Sequence, residues 1–181
     1  MANGLLHGGR DELTALFDEL AEELVGVGAR VEVLMVGGSW MLWFGERDAT
    51  RDVDSARPVP KEAIDAIARV GDRHDLDPKW LNDKAAPFLP FAFDSSQCTT
   101  EYQHEALIVG TPSPETVFLM KLHRASALDR EDMIRIWPRC KFTGPDEIVA
   151  RFREAYPYSS EDPHLDEYLA DIIKDAAGNS L

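Results

Sequence analysis

The chain of 181 residues is 44% hydrophobic and 29% charged, which is typical of a globular protein that buries a core without disulfides or structural metal. Its formal net charge of −14 argues against a protein that coats nucleic acids, because an acidic surface repels phosphate backbones. Two cysteines without CxxC spacing argue against a disulfide framework, and the absence of a long apolar run argues against a signal peptide or membrane span, so we expect a cytoplasmic protein that does not bind membranes.

The first half of the chain predicts helices that alternate with short strands. Apolar residues at helical spacing indicate an amphipathic helix, whereas an apolar and partly β-branched run indicates a buried strand. In chain order the predicted elements are a helix over 11–25, a strand over 31–36, the turn Gly37-Gly38-Ser39, a helix opening within 40–44, a strand over 50–55 and a helix over 61–70.

The second half of the chain is irregular over 75–103 and then turns helical after one more strand. Ser113 as N-cap, Pro114 at the first helical position and Glu115 in the first turn predict the start of a helix. The predicted elements are a strand over 105–110 and helices over 114–127, 129–136, 146–155 and 165–176. We therefore expect an α/β core over 1–110 and a helical C-terminal part over 111–181, packed together as one compact unit.

Asp52 and Asp54 are the first candidate site residues. Residues at i and i+2 of a strand point to one face, so both carboxylates are expected on the same side of the 50–55 strand. Two such carboxylates can hold a divalent cation such as Mg²⁺, whose other ligands are waters and substrate phosphates. The alternative is a strand end with both acids solvated.

The Gly37-Gly38-Ser39 turn is the second candidate. Glycines after a strand allow close backbone approach, and a hydroxyl and a following helix N-terminus add donors and a dipole that suit a triphosphate. Such turns are also common without any function. The order of strand, turn, helix and Asp-x-Asp places both features where adjacent strand ends can meet.

Taken together, Val36-Gly37-Gly38-Ser39 and Asp52-Val53-Asp54, with twelve residues between them, resemble the signature of the nucleotidyltransferase superfamily. The likeness extends over about residues 30–137 and is greatest to the bacterial AbiEii-like and MenT-like branch. The phrases similar to that branch are Thr50-Arg51-Asp52-Val53-Asp54, Trp80-Leu81-Asn82-Asp83, and Pro114-Glu115 leading to Met120-Lys121-Leu122 and Asp129-Arg130-Glu131-Asp132. The resemblance implies a nucleotidyltransferase-like mixed sheet flanked by helices.

The resemblance also implies roles by position. Asp52 and Asp54 would hold the catalytic Mg²⁺ or Mn²⁺, Gly38 and Ser39 would contact the triphosphate, and Lys121 would meet a phosphate. Asp129 or Asp132 would orient Lys121 or assist the acceptor, and Arg51 would pair with the acids or with phosphate. We thus assign catalysis to Asp52, Asp54 and Lys121, and nucleotide binding to Gly37, Gly38, Ser39, Arg51 and Asp132.

A third carboxylate, which full members of the superfamily usually supply from a later core strand, has no clear position in this sequence. Asp94, Glu101 and Glu105 are the candidates, and Glu105 adjoins the predicted 105–110 strand.

Three functions are compatible with these residues. The first is transfer of a nucleoside monophosphate from an NTP to an RNA end, such as that of tRNA, or to a protein side chain. The branch that the sequence resembles is rich in toxins of toxin–antitoxin pairs and in phage-defence proteins. The resemblance therefore implies a cognate antitoxin as a partner. The second is a catalytically inactive relative with a binding or regulatory role. The third is a metal-dependent phosphohydrolase. A local basic groove for RNA would draw on Arg47, Arg51, Lys121, Arg124 and Arg130.

Overall fold

The computed structural model describes residues 4–178, which form two compact units. The first unit comprises residues 4–87 and 97–112, and the second comprises residues 88–96 and 113–178. The first holds three α-helices and every strand of the sheet, and the second holds four α-helices. None of the helices in these described residues is long and apolar enough to cross a membrane.

Helix α1 (Gly9–Val27) forms because its apolar residues recur every three or four positions and line one face. Leu13, Leu16, Phe17, Leu20 and Leu24 are all buried. The helix ends at Gly28, which adopts φ +67° and so takes the left-handed conformation that glycine accommodates without a steric penalty. The structure confirms the predicted helix and extends it by two residues at each end.

The first unit is built on a mixed five-stranded sheet with the order β3-β2-β1-β5-β4. Its strands are β1 (Val31–Val36), β2 (Val53–Ser55), β3 (Leu81–Asn82), β4 (Thr99–Gln103) and β5 (Leu107–Thr111). The β1–β5 and β2–β3 pairs are parallel, whereas the β1–β2 and β4–β5 pairs are antiparallel. This arrangement confirms the predicted α/β fold class with a mixed sheet.

The core of the first unit lies where α1 and α3 (Ile64–Arg73) meet the central strands. Every residue of β1 except Glu32 is buried, as expected for a strand at the centre of a sheet. The short helix α2 (Gly37–Trp43) follows β1 directly, and its residues from Ser39 onward are buried. A 3-10 turn over Lys61–Ala63 leads into α3.

The second unit is helical. Its helices are α4 (Pro114–Arg124), α5 (Ala127–Ile136), α6 (Pro145–Ala155) and α7 (Leu165–Gly178). The Ser113 hydroxyl accepts a hydrogen bond from the Thr116 amide at 3.2 Å, which confirms Ser113 as the N-cap of α4. Helix α4 ends three residues earlier than predicted, since Ala125 adopts φ +51° and closes it.

The structure corrects one predicted strand and one segment that was predicted to lack strands. The strand predicted over 50–55 spans only Val53–Ser55, so Asp52 lies in the bend that precedes it rather than in the strand. The segment predicted to be irregular over 75–103 contains β3 and β4. Strand β4 was missed because it lies at the edge of the sheet and is largely exposed, so it lacks the apolar alternation of a half-buried strand.

Candidate nucleotide and metal site

The antiparallel pairing of β1 with β2 places Asp54 opposite Val36, the last residue of β1. Because Gly37 follows Val36 directly, the register brings the start of the glycine turn to the Asp54 carboxylate. Gly37 and Asp54, which are 17 positions apart in the sequence, are therefore neighbours in the structure.

The two glycines allow this close approach. Gly37 adopts φ +64°, and a methyl group added to it would lie 2.8 Å from Oδ2 of Asp54. A methyl group on Gly38 would lie 2.5 Å from Oγ1 of Thr50 and 3.0 Å from Nη1 of Arg47. Since a carbon atom does not fit at either distance, the turn can lie against both segments only because positions 37 and 38 lack side chains.

Asp52 is held from the neighbouring strand. Asn82 of β3 donates from Nδ2 to Oδ2 of Asp52 at 3.2 Å. The parallel β2–β3 register also aligns Asn82 with Asp54. On the other side, the Thr50 hydroxyl donates to the Asp52 carbonyl at 3.3 Å.

Ser39 is fully buried, and its hydroxyl donates to the carbonyl of Val36 at 2.8 Å. This bond ties the first turn of α2 back to the end of β1. The predicted contact between Ser39 and a triphosphate stays a prediction.

The donor set of this site fits a divalent cation that shares its coordination with a nucleotide. Asp52 and Asp54 are half-buried, and their carboxylate oxygens are the hard ligands that Mg²⁺ and Mn²⁺ accept. Among residues 4–178 no group of three or more His, Cys, Asp or Glu side chains is arranged to hold a metal ion. Two protein carboxylates therefore leave most coordination positions to water and phosphate.

The three candidates for a third carboxylate differ in their own contacts and exposure. Glu101 of β4 accepts hydrogen bonds from the Trp43 indole at 3.1 Å and from the Thr111 hydroxyl at 3.0 Å. Glu105 is exposed between β4 and β5. Asp94 belongs to the second unit, where it accepts from the Ser96 amide at 2.9 Å.

Lys121 and Asp132 come together within the second unit. Lys121 is only 3% exposed, and its Nζ lies 2.6 Å from Oδ2 of Asp132 and 3.6 Å from Oδ1 of Asp129. Burial alone would raise the pKa of Asp129, but hydrogen bonds from Arg124 and Ser126 outweigh it and hold that pKa below its usual value. The predicted roles of Lys121 in catalysis and of Asp132 in nucleotide binding stay predictions.

Two arginines lie next to the motif residues. Arg51 is exposed immediately before Asp52, and its predicted role in nucleotide binding stays a prediction. Arg47 is half-buried with its guanidinium over Gly38. The sequence offers Arg47 only as one of several candidates for a basic groove, because its proximity to Gly38 depends on how the chain turns after α2.

Asn82 is the residue that the sequence analysis missed as part of the site. It appears there only within the Trp80-Leu81-Asn82-Asp83 phrase, without a role. Its position depends on the pairing of a two-residue strand with β2. No local pattern in the sequence predicts that pairing.

Comparisons with curated proteins and with solved structures gave no match for this chain. A family model described as a nucleotidyltransferase of unknown function (DUF6036) matches residues 11–136. The matched segment covers more than half of the 181 residues and includes the glycine turn, both motif acids and Asn82. The chain therefore belongs to this family of nucleotidyltransferases of unknown function.

Proposed function

We propose that the protein is a metal-dependent nucleotidyltransferase that moves a nucleoside monophosphate from an NTP to an acceptor hydroxyl. The observation that carries this proposal is the contact between the Gly37 turn and the Asp54 carboxylate, with Asp52 held beside it, in a chain of the nucleotidyltransferase family. In this arrangement the glycine turn adjoins the Asp54 carboxylate, and Asp52 precedes Asp54 by two residues.

The reaction forms a bond between the acceptor oxygen and the α-phosphorus and breaks the bond from that phosphorus to the β-phosphate bridging oxygen. The acceptor loses its proton to solvent, and pyrophosphate leaves. Asp52 and Asp54 would hold Mg²⁺ or Mn²⁺, which supplies charge neutralisation for the triphosphate when bound. Positioning and electrostatics would account for most of the rate enhancement.

The glycine turn would receive the phosphates. Gly37 and Gly38 expose backbone that a phosphate oxygen can approach without a steric barrier. Arg51, which directly precedes Asp52, and Arg47, whose guanidinium lies over Gly38, would bind the outer phosphates, for which a guanidinium provides paired donors. Ser39 would support the turn through its bond to Val36.

The resemblance to the AbiEii-like and MenT-like branch extends the proposal to Lys121 and Asp132. Lys121 would act as a point charge on phosphate, and Asp132 would orient it. The 2.6 Å contact between the two side chains supports the orienting role.

The same resemblance supports the proposed acceptors and biological role. The acceptor would be an RNA end, such as that of tRNA, or a protein side chain. The protein would act as the toxin of a toxin–antitoxin pair or in phage defence, with a cognate antitoxin as its partner.

Transfer of label tests the proposal. The protein is mixed in turn with each of the four NTPs labelled at the α-phosphate, with MgCl₂ or MnCl₂, and with total RNA or lysate protein. We expect label on one class of acceptor, and a loss of at least about 100-fold in Asp52→Asn and Asp54→Asn. Asp48→Asn, an exposed aspartate in the same loop, is the matched control and should keep full activity. Label transfer that survives in both motif variants would contradict the proposal.

A nucleotide-binding protein without catalysis is the second candidate. The observation that favours it is that residues 4–178 contain no group of three carboxylates arranged for a metal, whereas catalytic members usually have three. Calorimetric titration with NTP and Mg²⁺ separates the two. Tight binding without label transfer supports the inactive relative, whereas transfer that depends on Asp52 and Asp54 excludes it.

A further inference from the structure

We propose that Asn82 is a positioning residue of the metal site, a neutral amide that orients Asp52 without adding a negative charge, so that the cation binds together with the nucleotide and only weakly before it. This assignment deepens the proposed function and rests on it. The assignment predicts how many negatively charged side chains of the first unit contact the cation.

The position of Asn82 follows from strand pairing. Strand β3 runs parallel to β2, with Leu81 aligned with Val53 and Asn82 aligned with Asp54. A residue so aligned on a neighbouring strand lies within reach of the motif acids. Asn82 is only 7% exposed, so its polar side chain is committed to this location.

Hydrogen bonds determine which end of the amide faces Asp52. The Lys84 amide donates to Oδ1 of Asn82 at 3.0 Å, and Nδ2 donates to the Lys79 carbonyl at 3.4 Å and to Oδ2 of Asp52 at 3.2 Å. Since a backbone N–H can only donate, Oδ1 must face Lys84, and the NH₂ group must face the carboxylate. Asn82 therefore holds Asp52 as a hydrogen-bond donor.

The strand that carries Asn82 is firmly anchored. Trp80 is fully buried, and its indole donates to the Ile67 carbonyl of α3 at 2.9 Å. The Trp80 carbonyl in turn accepts from the Val53 amide at the start of β2. A donor on such a rigid element keeps the Asp52 carboxylate in one orientation.

The consequence concerns charge. A carboxylate at position 82 would make three negative charges at the site, whereas the neutral amide leaves two. Affinity for a divalent cation rises with the number of charged ligands. With two carboxylates the site matches one cation whose remaining ligands are phosphate oxygens and water, so nucleotide and cation should bind as a pair.

The test measures Mn²⁺ binding by electron paramagnetic resonance, with and without a non-hydrolysable NTP analogue. We expect weak binding of Mn²⁺ alone to the unmodified protein and strong enhancement by the analogue. Asn82→Asp should bind Mn²⁺ alone about tenfold more tightly, and Asn82→Ala should weaken Mn²⁺ binding in the presence of the analogue by about tenfold. Gln103→Glu adds the same charge on an exposed residue of β4, at the far edge of the sheet, and should change neither value.

An exchange variant separates positioning from general stability. Asp52→Asn should lose Mn²⁺ binding, and the double variant Asp52→Asn with Asn82→Asp should recover part of it, because a carboxylate and an amide then occupy exchanged positions. Circular dichroism melts identify any unfolded variant, and Asn82→Ser, which keeps a donor, replaces Asn82→Ala if that variant does not fold.

The inference is overturned if Asn82→Asp binds Mn²⁺ no more tightly than Gln103→Glu does, or if the unmodified protein binds Mn²⁺ equally well with and without the analogue. These readouts do not depend on transfer. If the protein transfers no label but Asn82→Asp tightens Mn²⁺ binding, the proposed activity is contradicted and the role of Asn82 is supported. If the protein transfers label but Asn82→Asp does not change Mn²⁺ binding, only the role of Asn82 is contradicted.

Discussion

Gly37 lies at the point where the end of β1 meets the carboxylate of Asp54, and two separate features require glycine there. Its φ of +64° is a left-handed conformation that costs other residues free energy, and the Asp54 carboxylate occupies the place of a side chain. The first feature concerns the backbone of the turn, and the second concerns the geometry of the metal site. A substitution that both strains a left-handed backbone and meets the Asp54 carboxylate can be compared with one that only strains a left-handed backbone.

Gly37→Ala should displace the Asp54 carboxylate, because the new methyl group would lie 2.8 Å from Oδ2. We expect a loss of about 1–2 kcal/mol in unfolding free energy from the left-handed conformation alone, together with a loss of Mn²⁺ binding and label transfer. Urea denaturation measures the unfolding free energy, and titration with Mn²⁺ measures metal binding.

Gly45→Ala is the matched control for this prediction. Gly45 also has a left-handed φ, +74°, but a methyl group there would meet no atom within 4 Å. Both variants should lose comparable stability, and only Gly37→Ala should lose metal binding. Equal metal affinities in the two variants would mean that the contact between Gly37 and Asp54 has no bearing on the site.

At the scale of elements, α4 and α5 are joined by a buried ion pair. Lys121 of α4 lies between Asp129 and Asp132 of α5, and all three side chains are almost completely buried. Removing one partner of a buried pair leaves the other charge uncompensated, whereas replacing both by apolar residues is often nearly neutral.

Lys121→Met should therefore lower the unfolding free energy by about 3–5 kcal/mol, and the double variant Lys121→Met with Asp132→Leu should recover most of that loss. Arg130→Ala, which breaks the exposed Arg130–Asp175 pair, is the control and should cost less than about 1 kcal/mol. Chemical denaturation measures all three variants. A stable Lys121→Met protein that has lost only label transfer would instead assign Lys121 to phosphate.

Glu101 of β4 is a candidate metal ligand whose side-chain contacts instead connect the sheet to neighbouring helices. Its carboxylate accepts from the Trp43 indole of α2 and the Thr111 hydroxyl of β5, and it pairs with Arg10 of α1 at 3.6 Å. Glu101→Ala would leave two buried donors without that acceptor, so we expect a loss of about 2–3 kcal/mol in unfolding free energy. Mn²⁺ affinity should not change.

Glu105→Ala is the companion variant, because Glu105 is exposed and should change stability by no more than about 0.5 kcal/mol. If Glu101→Ala weakened Mn²⁺ binding while remaining folded, Glu101 would be a ligand after all.

The elements that the sequence predicts well are those with strong local signals. Helix α1 has a complete apolar face, β1 is an apolar run interrupted only by Glu32, and Ser113 with Pro114 marks the start of α4. Strand β3 has two residues and β4 is mostly exposed, so neither has a periodicity that distinguishes it from a loop.

The residues of the candidate site likewise fall into those that a local sequence pattern predicts and those that it does not. The glycine turn and Asp52-Val53-Asp54 are short contiguous motifs, and the contact between them follows from the pairing of two consecutive strands. Asn82 reaches Asp52 across 30 positions of sequence, through a register set by the burial of Trp80 and the pairing of β3. That contact depends on tertiary structure, which no local pattern in a single sequence specifies.

At the scale of the whole molecule, 33 acidic residues exceed 19 basic ones. Some acids are paired, as where Arg69 and Arg73 of α3 contact Glu23 of α1. Such exposed pairs are screened by solvent and contribute little to stability. The excess of 14 negative charges repels itself in the folded state, where the charges are closer together than in the unfolded chain.

Salt should therefore stabilise the protein. Raising NaCl from 10 to 150 mM shortens the Debye length from about 30 to about 8 Å, which screens the long-range repulsion more than the short contacts. We expect the unfolding midpoint to rise by about 2–4 °C, which corresponds to about 1 kcal/mol for a chain of this size. Scanning calorimetry without divalent cations isolates this effect from metal binding.

A variant with Asp72, Glu105 and Glu161 replaced by their amides tests the cause. All three residues are exposed, so the substitutions remove three negative charges with little effect on packing. The variant should melt at a higher temperature than the unmodified protein at 10 mM NaCl and should gain less from added salt. If salt lowered the midpoint of both proteins, surface ion pairs such as Arg73–Glu23 would outweigh the repulsion among the acidic residues.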